Sequence, residues 1–166
     1  PDKNGLIDIA MPFGKHKITV RDHGRLSQTF ETTAIAGETD EATLDLGTVS
    51  QVSFNITDEA GTSTPCKAQF IGIAGTPLPN LGPNNRAHGC LDQYQSETGH
   101  FTVPLGAGRY RIIVTRGIEF SYLSQEILLE QGGRVEISGV LKRLVQTPGW
   151  VSADFHNHST PSGDNT

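Results

Sequence analysis

Val52-Ser53-Phe54-Asn55-Ile56-Thr57-Asp58-Glu59-Ala60-Gly61 sets the fold class. Val52, Phe54 and Ile56 alternate with Ser53, Asn55 and Thr57, the period-2 signature of a half-buried strand, and Asp58 to Gly61 then breaks the run as a turn. Working outward, Cys66 to Ile73 is a second short apolar stretch, and Phe101 to Val103 is a third. Arg109 to Arg116 places Tyr110, Ile112 and Val114 on one face. Ile127 and Leu129 do the same before Gln131-Gly132-Gly133, which reads as a hairpin turn into Val135, Ile137 and the residues up to Leu144. Between these elements the glycines and prolines from Gly72 to Pro83 indicate a loop that continues to about Thr98.

The whole chain has the composition of a turn-rich β protein, with 166 residues, 19 Gly and 9 Pro, and is large enough to bury a core without staples. Thirteen Lys and Arg stand against 18 Asp and Glu, a net charge of -5, and no basic stripe is visible. This excludes a dedicated nucleic-acid binder, which needs clustered excess cations. No apolar run approaches the roughly 18 residues that cross a bilayer, so a soluble protein without a membrane span is expected, and no stretch reads as a signal peptide.

An internal echo organises the chain. Gly14-Lys15-His16-Lys17-Ile18-Thr19-Val20 matches Gly108-Arg109-Tyr110-Arg111-Ile112-Ile113-Val114, 94 residues later, as glycine, base, ring, base and then Ile-x-Val. Gly24 and Gly117 follow the two segments, and Ala36-Gly37-Glu38 with Leu44 and Leu46 parallels Gln131-Gly132-Gly133 with Val140 and Leu141. Two units of one β design are implied. Nothing before Gly14 corresponds to residues 52–73. Residues 1–47 therefore read as the closing strands of a truncated sister module, expected to pack on the main sandwich and cover one of its sheet edges.

The segment 52–61, then Cys66 to Ile73, then Pro104-Leu105-Gly106-Ala107-Gly108-Arg109-Tyr110-Arg111-Ile112, resembles carboxypeptidase regulatory-like domains. The resemblance implies a transthyretin-like, Ig-like antiparallel β-sandwich over residues 48–145, an all-β fold without catalytic residues that serves as an accessory to something else. Gly149-Trp150-Val151-Ser152-Ala153-Asp154-Phe155-His156-Asn157-His158-Ser159 in turn looks like the first H-x-H strand of the polymerase-and-histidinol-phosphatase (PHP) superfamily of metallohydrolases. Residues 146–166 are then a linker and the first strand of such a domain. Where that superfamily often has Ser-Asp-Gly, this chain has Ser162-Gly163-Asp164-Asn165. The order of sandwich, linker and D-x-H-x-H also resembles exported members of the superfamily.

On a strand, residues i and i+2 point to the same side, so His156 and His158 can converge on one divalent metal, with zinc, iron or manganese expected, while Asp154 can fix an imidazole tautomer from behind. Two imidazoles are short of a complete site, so the remaining ligands are expected from a C-terminal catalytic domain of the same chain, and residues 1–166 alone are expected to be inactive. A free-standing carbohydrate- or peptide-binding adhesion module, with incidental terminal histidines, is the alternative.

Other candidates are weaker. Cys66 and Cys90 allow one bridge, which would contribute about 3 kcal/mol by closing its loop, or else are unrelated thiols. In the long loop Asn84, Asn85, Arg86, Asp92, Gln93 and Tyr94 suit a small molecule, a saccharide, a peptide or the catalytic domain. Arg116 and Glu119, bracketing Gly117, are placed to pair across a turn. His16, His23, His88, His100 and Cys90 show no ligand spacing, and no G-x-S-x-G elbow or phosphate-binding glycine loop is present.

Overall fold

The computed structural model describes residues 5–82, 91–151 and 153. Nine strands and no helix occur among them: β1 Gly14–Val20, β2 Gln28–Ala34, β3 Gln51–Thr57, β4 Cys66–Ile73, β5 Gln93–Ser96, β6 His100–Pro104, β7 Gly108–Thr115, β8 Leu123–Leu129 and β9 Arg134–Val140. The chain divides into two compact units, residues 1–22 with 26–47, and residues 23–25 with 48–166. In the first unit β1 and β2 form a two-stranded antiparallel hairpin.

The second unit is the all-β sandwich. Its sheets are β6-β3-β9 and β5-β4-β7-β8, and every pairing is antiparallel except β3 with β9, which run parallel. Alternation in β3 does what the sequence pattern requires. Val52, Phe54 and Ile56 are at most 3% exposed while the residues between them stay half-buried. Facing them, Ala68 and Phe70 of β4 and Ile112 and Val114 of β7 are at most 1% exposed. Covering both faces of this shared layer removes enough apolar area to make burial the main stabilising term. The turn after β3 is fixed locally, because Asp58 Oδ1 accepts from the amides of Ala60 and Thr62, both at 2.9 Å.

Two expectations need correction. The stretch expected to run as loop to about Thr98 contains β5, which pairs with β4 from Cys66↔Ser96 to Gln69↔Gln93. Gln93, Tyr94, Gln95 and Ser96 carry no apolar alternation, and this short strand is held by backbone bonds such as Phe70 N to Asp92 O at 2.8 Å. The hairpin expected at Gln131-Gly132-Gly133 is instead a change of sheet, with β8 paired to β7 and β9 to β3. A tight turn is present, Gly133 N donating to Glu130 O. Gln51 N also donates to Gly133 O, and Gly132 N to Ser50 Oγ, so the turn is tied to the start of β3 in the other sheet.

Residues 23–25 belong to the sandwich through Gly24, whose carbonyl accepts from Ser50 N at 2.7 Å. A Cβ at Gly24 would sit 2.4 Å from Ser50 O, and its φ of +73° also favours glycine.

Candidate functional site

The residues read as a metal site, His156, His158 and Asp154, all lie outside the described residues, and so do Cys90 of the possible bridge and Asn84, Asn85 and Arg86 of the loop. The structure describes the sandwich they are attached to. That domain is closed off at its carboxyl end. Leu141 is fully buried and its amide donates to Thr57 O at 2.9 Å, while Leu144 N and Val145 N both donate to Glu119 O. Arg143 bridges to Glu119 at 2.8 Å. Glu119 thus pairs with Arg143 rather than across its own turn with Arg116. The Arg116 guanidinium lies 4.5 Å from the centre of the Phe120 ring and donates to Thr64 Oγ1.

Two of the loop candidates are described, and each already has a structural partner. Asp92 is buried, its carboxylate accepting from Gln69 Nε2 at 3.0 Å. Tyr94 lies on β5 with its ring stacked on Phe101, 5.3 Å between centroids. Phe101 stacks on Phe54 at 4.4 Å, and Phe54 meets Phe70 edge-on at 6.0 Å, so a column of four rings runs from the half-exposed Tyr94 to the buried Phe70.

A surface that the sequence reading did not single out lies on the outward side of the three-stranded sheet. A shallow open recess is lined by Ser53, Asn55, His100, Thr102 and Glu136. Strand register builds it: Ser53 is flanked by Thr102 and Glu136, and Asn55 by His100 and Ser138. The Ser53 and Thr102 hydroxyls are 3.1 Å apart, and Ser138 Oγ donates to Glu136 Oε1 at 3.2 Å. Hydroxyls, an amide, an imidazole and a carboxylate on one face can hydrogen-bond a polyol or a peptide backbone. The signal was available as the polar half of the β3 alternation, read only for its apolar half. Among the described residues no three His, Cys, Asp or Glu side chains are grouped to hold a metal ion, and no helix is long and apolar enough to cross a membrane.

Cys66 is a buried free thiol at the start of β4. Burial pushes its pKa up, with the Arg116 guanidinium pulling the other way more weakly, and burial likewise raises the Tyr110 phenol. The folded state therefore holds both protons more tightly than the unfolded chain. Their contribution is fully present below the unfolded values and is lost as pH rises through the folded ones. Denaturation midpoints should stay level with respect to these two groups up to about pH 9 and fall above it, first through Cys66 and then, beyond about pH 10, through Tyr110. Urea titrations between pH 7 and 11 check this. In Cys66→Ala the first part of the decline should vanish.

Compared with known proteins, the chain matches no family model, no curated protein and no solved structure.

Proposed function

We propose that residues 48–145 are the accessory sandwich of an exported PHP-type metal-dependent hydrolase. His156 and His158 supply the first two metal ligands, Asp154 orients one imidazole, and a catalytic domain of the same polypeptide supplies the other ligands. The bound zinc, iron or manganese would activate water against a phosphoester or amide. What supports this reading is the completion of the sandwich at residues 141–145, which leaves Asp154-Phe155-His156-Asn157-His158 on chain that the sandwich does not need for its own closure.

The test is hydrolysis of a chromogenic phosphodiester by the full-length gene product with added zinc or manganese. Chelation should abolish turnover, and His156→Ala or His158→Ala should lower it by at least about 100-fold, with Asp154→Ala costing about 10–100-fold, as ligand-orienting partners do. The circular dichroism of the sandwich should not change. Turnover indifferent to both histidine substitutions overturns the proposal, as does a gene product without further His, Asp and Glu ligand motifs.

The recess over Ser53, Asn55, His100, Thr102 and Glu136 favours a second reading, a saccharide- or peptide-binding module. Retention on an immobilised glycan that His100→Ala and Glu136→Ala both remove, in a gene product without hydrolytic activity, would put this reading in place of the first.

A further inference from the structure

The hairpin of the first unit repeats the register of the β7–β8 pair over all seven residue pairs. Gly14 pairs with Ala34 where Gly108 pairs with Leu129, and Ile18 with Phe30 where Ile112 pairs with Gln125. In each, the first inward ring donates to the carbonyl four residues back, Tyr110 Oη to Gly106 O at 2.9 Å and His16 Nε2 to Pro12 O at 2.7 Å. The turn leaving the second strand is also shared. Glu38 N donates to Ile35 O as Gly133 N does to Glu130 O, over Gly37 at φ 76° and Gly132 at φ 71°.

Carried outward at the same spacing, the match aligns Ile7, Ile9 and Met11 with Phe101, Val103 and Leu105, and residues 39–45 with β9. Asp40 and Leu44 then take inward positions. Leu44 is half-buried as this requires, while Asp40 is exposed and accepts from Thr32 Oγ1 at 2.5 Å.

The likeness stops at one strand. In the sandwich β6 and β9 are joined only through β3, which lies between them. Residues 7–11 and 39–45, their counterparts, are in no strand, whereas the counterparts of β7 and β8, which pair with each other, are strands. Ile9 is 55% exposed where its counterpart Val103 is 1%, and Ile7 is 50% exposed, while Met11, the counterpart of Leu105, is half-buried. The two segments without strand form are therefore the two that share β3 as partner.

We infer that residues 7–11 and 39–45 flank a slot for one extended strand, antiparallel to the first and parallel to the second, as in donor-strand pairing. Its occupant is a segment of the β3 kind, with three large apolar side chains at alternate positions as in Val52, Phe54 and Ile56. The slot also selects charge. Ser53 lies between Thr102 and Glu136, whose counterparts are Asp8 and Glu41, so the occupant carries Lys or Arg at the position of Ser53, where opposite charges across strands stabilise pairing. This inference does not depend on the hydrolase reading.

The test uses the full chain with a copy of residues 50–58 carrying Ser53→Lys fused ahead of Pro1 through a flexible linker of about 20 residues. Amide exchange at Ile7, Ile9 and Leu44 should slow at least tenfold relative to the unfused chain. A copy with Ser53→Glu, or with Val52, Phe54 and Ile56 all changed to Ser, should exchange as the unfused chain does. Unchanged exchange with the Ser53→Lys copy overturns the inference, and so does equal slowing by the control copies. Slow exchange at these amides in the unfused chain, together with a dimeric sedimentation mass, would assign the slot to a second copy and overturn it as well.

Discussion

Phe70→Ala should lower the unfolding free energy of the sandwich by about 3–5 kcal/mol, the cost of a cavity left by a buried phenylalanine in a core that cannot collapse to fill it. Phe70 is completely buried and is the inner end of the ring column, meeting Phe54 edge-on at 87°. Its removal deletes both its own buried area and the edge-to-face contact, which contributes about 0.5–1.5 kcal/mol beyond burial. At the other end of the column Tyr94 is 38% exposed, so Tyr94→Ala should cost much less. Urea unfolding followed by far-ultraviolet circular dichroism measures both. The single tryptophan, Trp150, is 82% exposed and would report poorly on the core. Similar losses for the two variants would show that the column is not anchored at Phe70.

The difference between these ends also shows what the sequence could and could not reveal. Val52, Phe54, Ile56, Tyr110, Ile112 and Val114 announced their strands because alternation records which face is dry. That Phe54 stacks on Phe101 depends on β3 pairing with β6 across 47 positions of sequence, and no local pattern encodes such a pairing. The parallel β3–β9 pair was hidden for the same reason. Gly132 and Gly133 signal a turn, yet not whether the next strand returns to its own sheet. β5 was invisible because an edge strand of Gln, Tyr, Gln and Ser draws its order from backbone bonds to β4. Of the candidate site, Asp92 was conspicuous as a charged loop residue, but only the fold shows it buried against Gln69. The 94-residue echo was legible from Gly14 onward, whereas its extension to Ile7 and Ile9 needed the matching His16 and Tyr110 hydrogen bonds to fix the alignment.

Backbone approach is the other feature that composition hides, and Gly99→Ala should expose it. Gly99 sits between β5 and β6 with φ +75°, and its carbonyl accepts from Ile56 N at 3.0 Å. An added Cβ would lie 2.5 Å from both Ile56 O and Thr64 O, which belong to backbone and cannot swing aside. Left-handed geometry alone costs a side chain about 1–2 kcal/mol. Displacing this turn also breaks the buried bond from Ile56 N to Gly99 O, which costs about 1–3 kcal/mol if left unmade, so a total loss of about 2–5 kcal/mol is expected. Gly61 provides the control, since its φ is +78° but no heavy atom lies within 4 Å of its added Cβ. Gly61→Ala should therefore show the conformational cost alone, about 1–2 kcal/mol. Urea midpoints for the two alanine variants separate the terms. Losses of equal size would mean that the turn can relax away from Thr64, and that the close packing of β3 against the β5–β6 turn contributes nothing to holding the sheets in register.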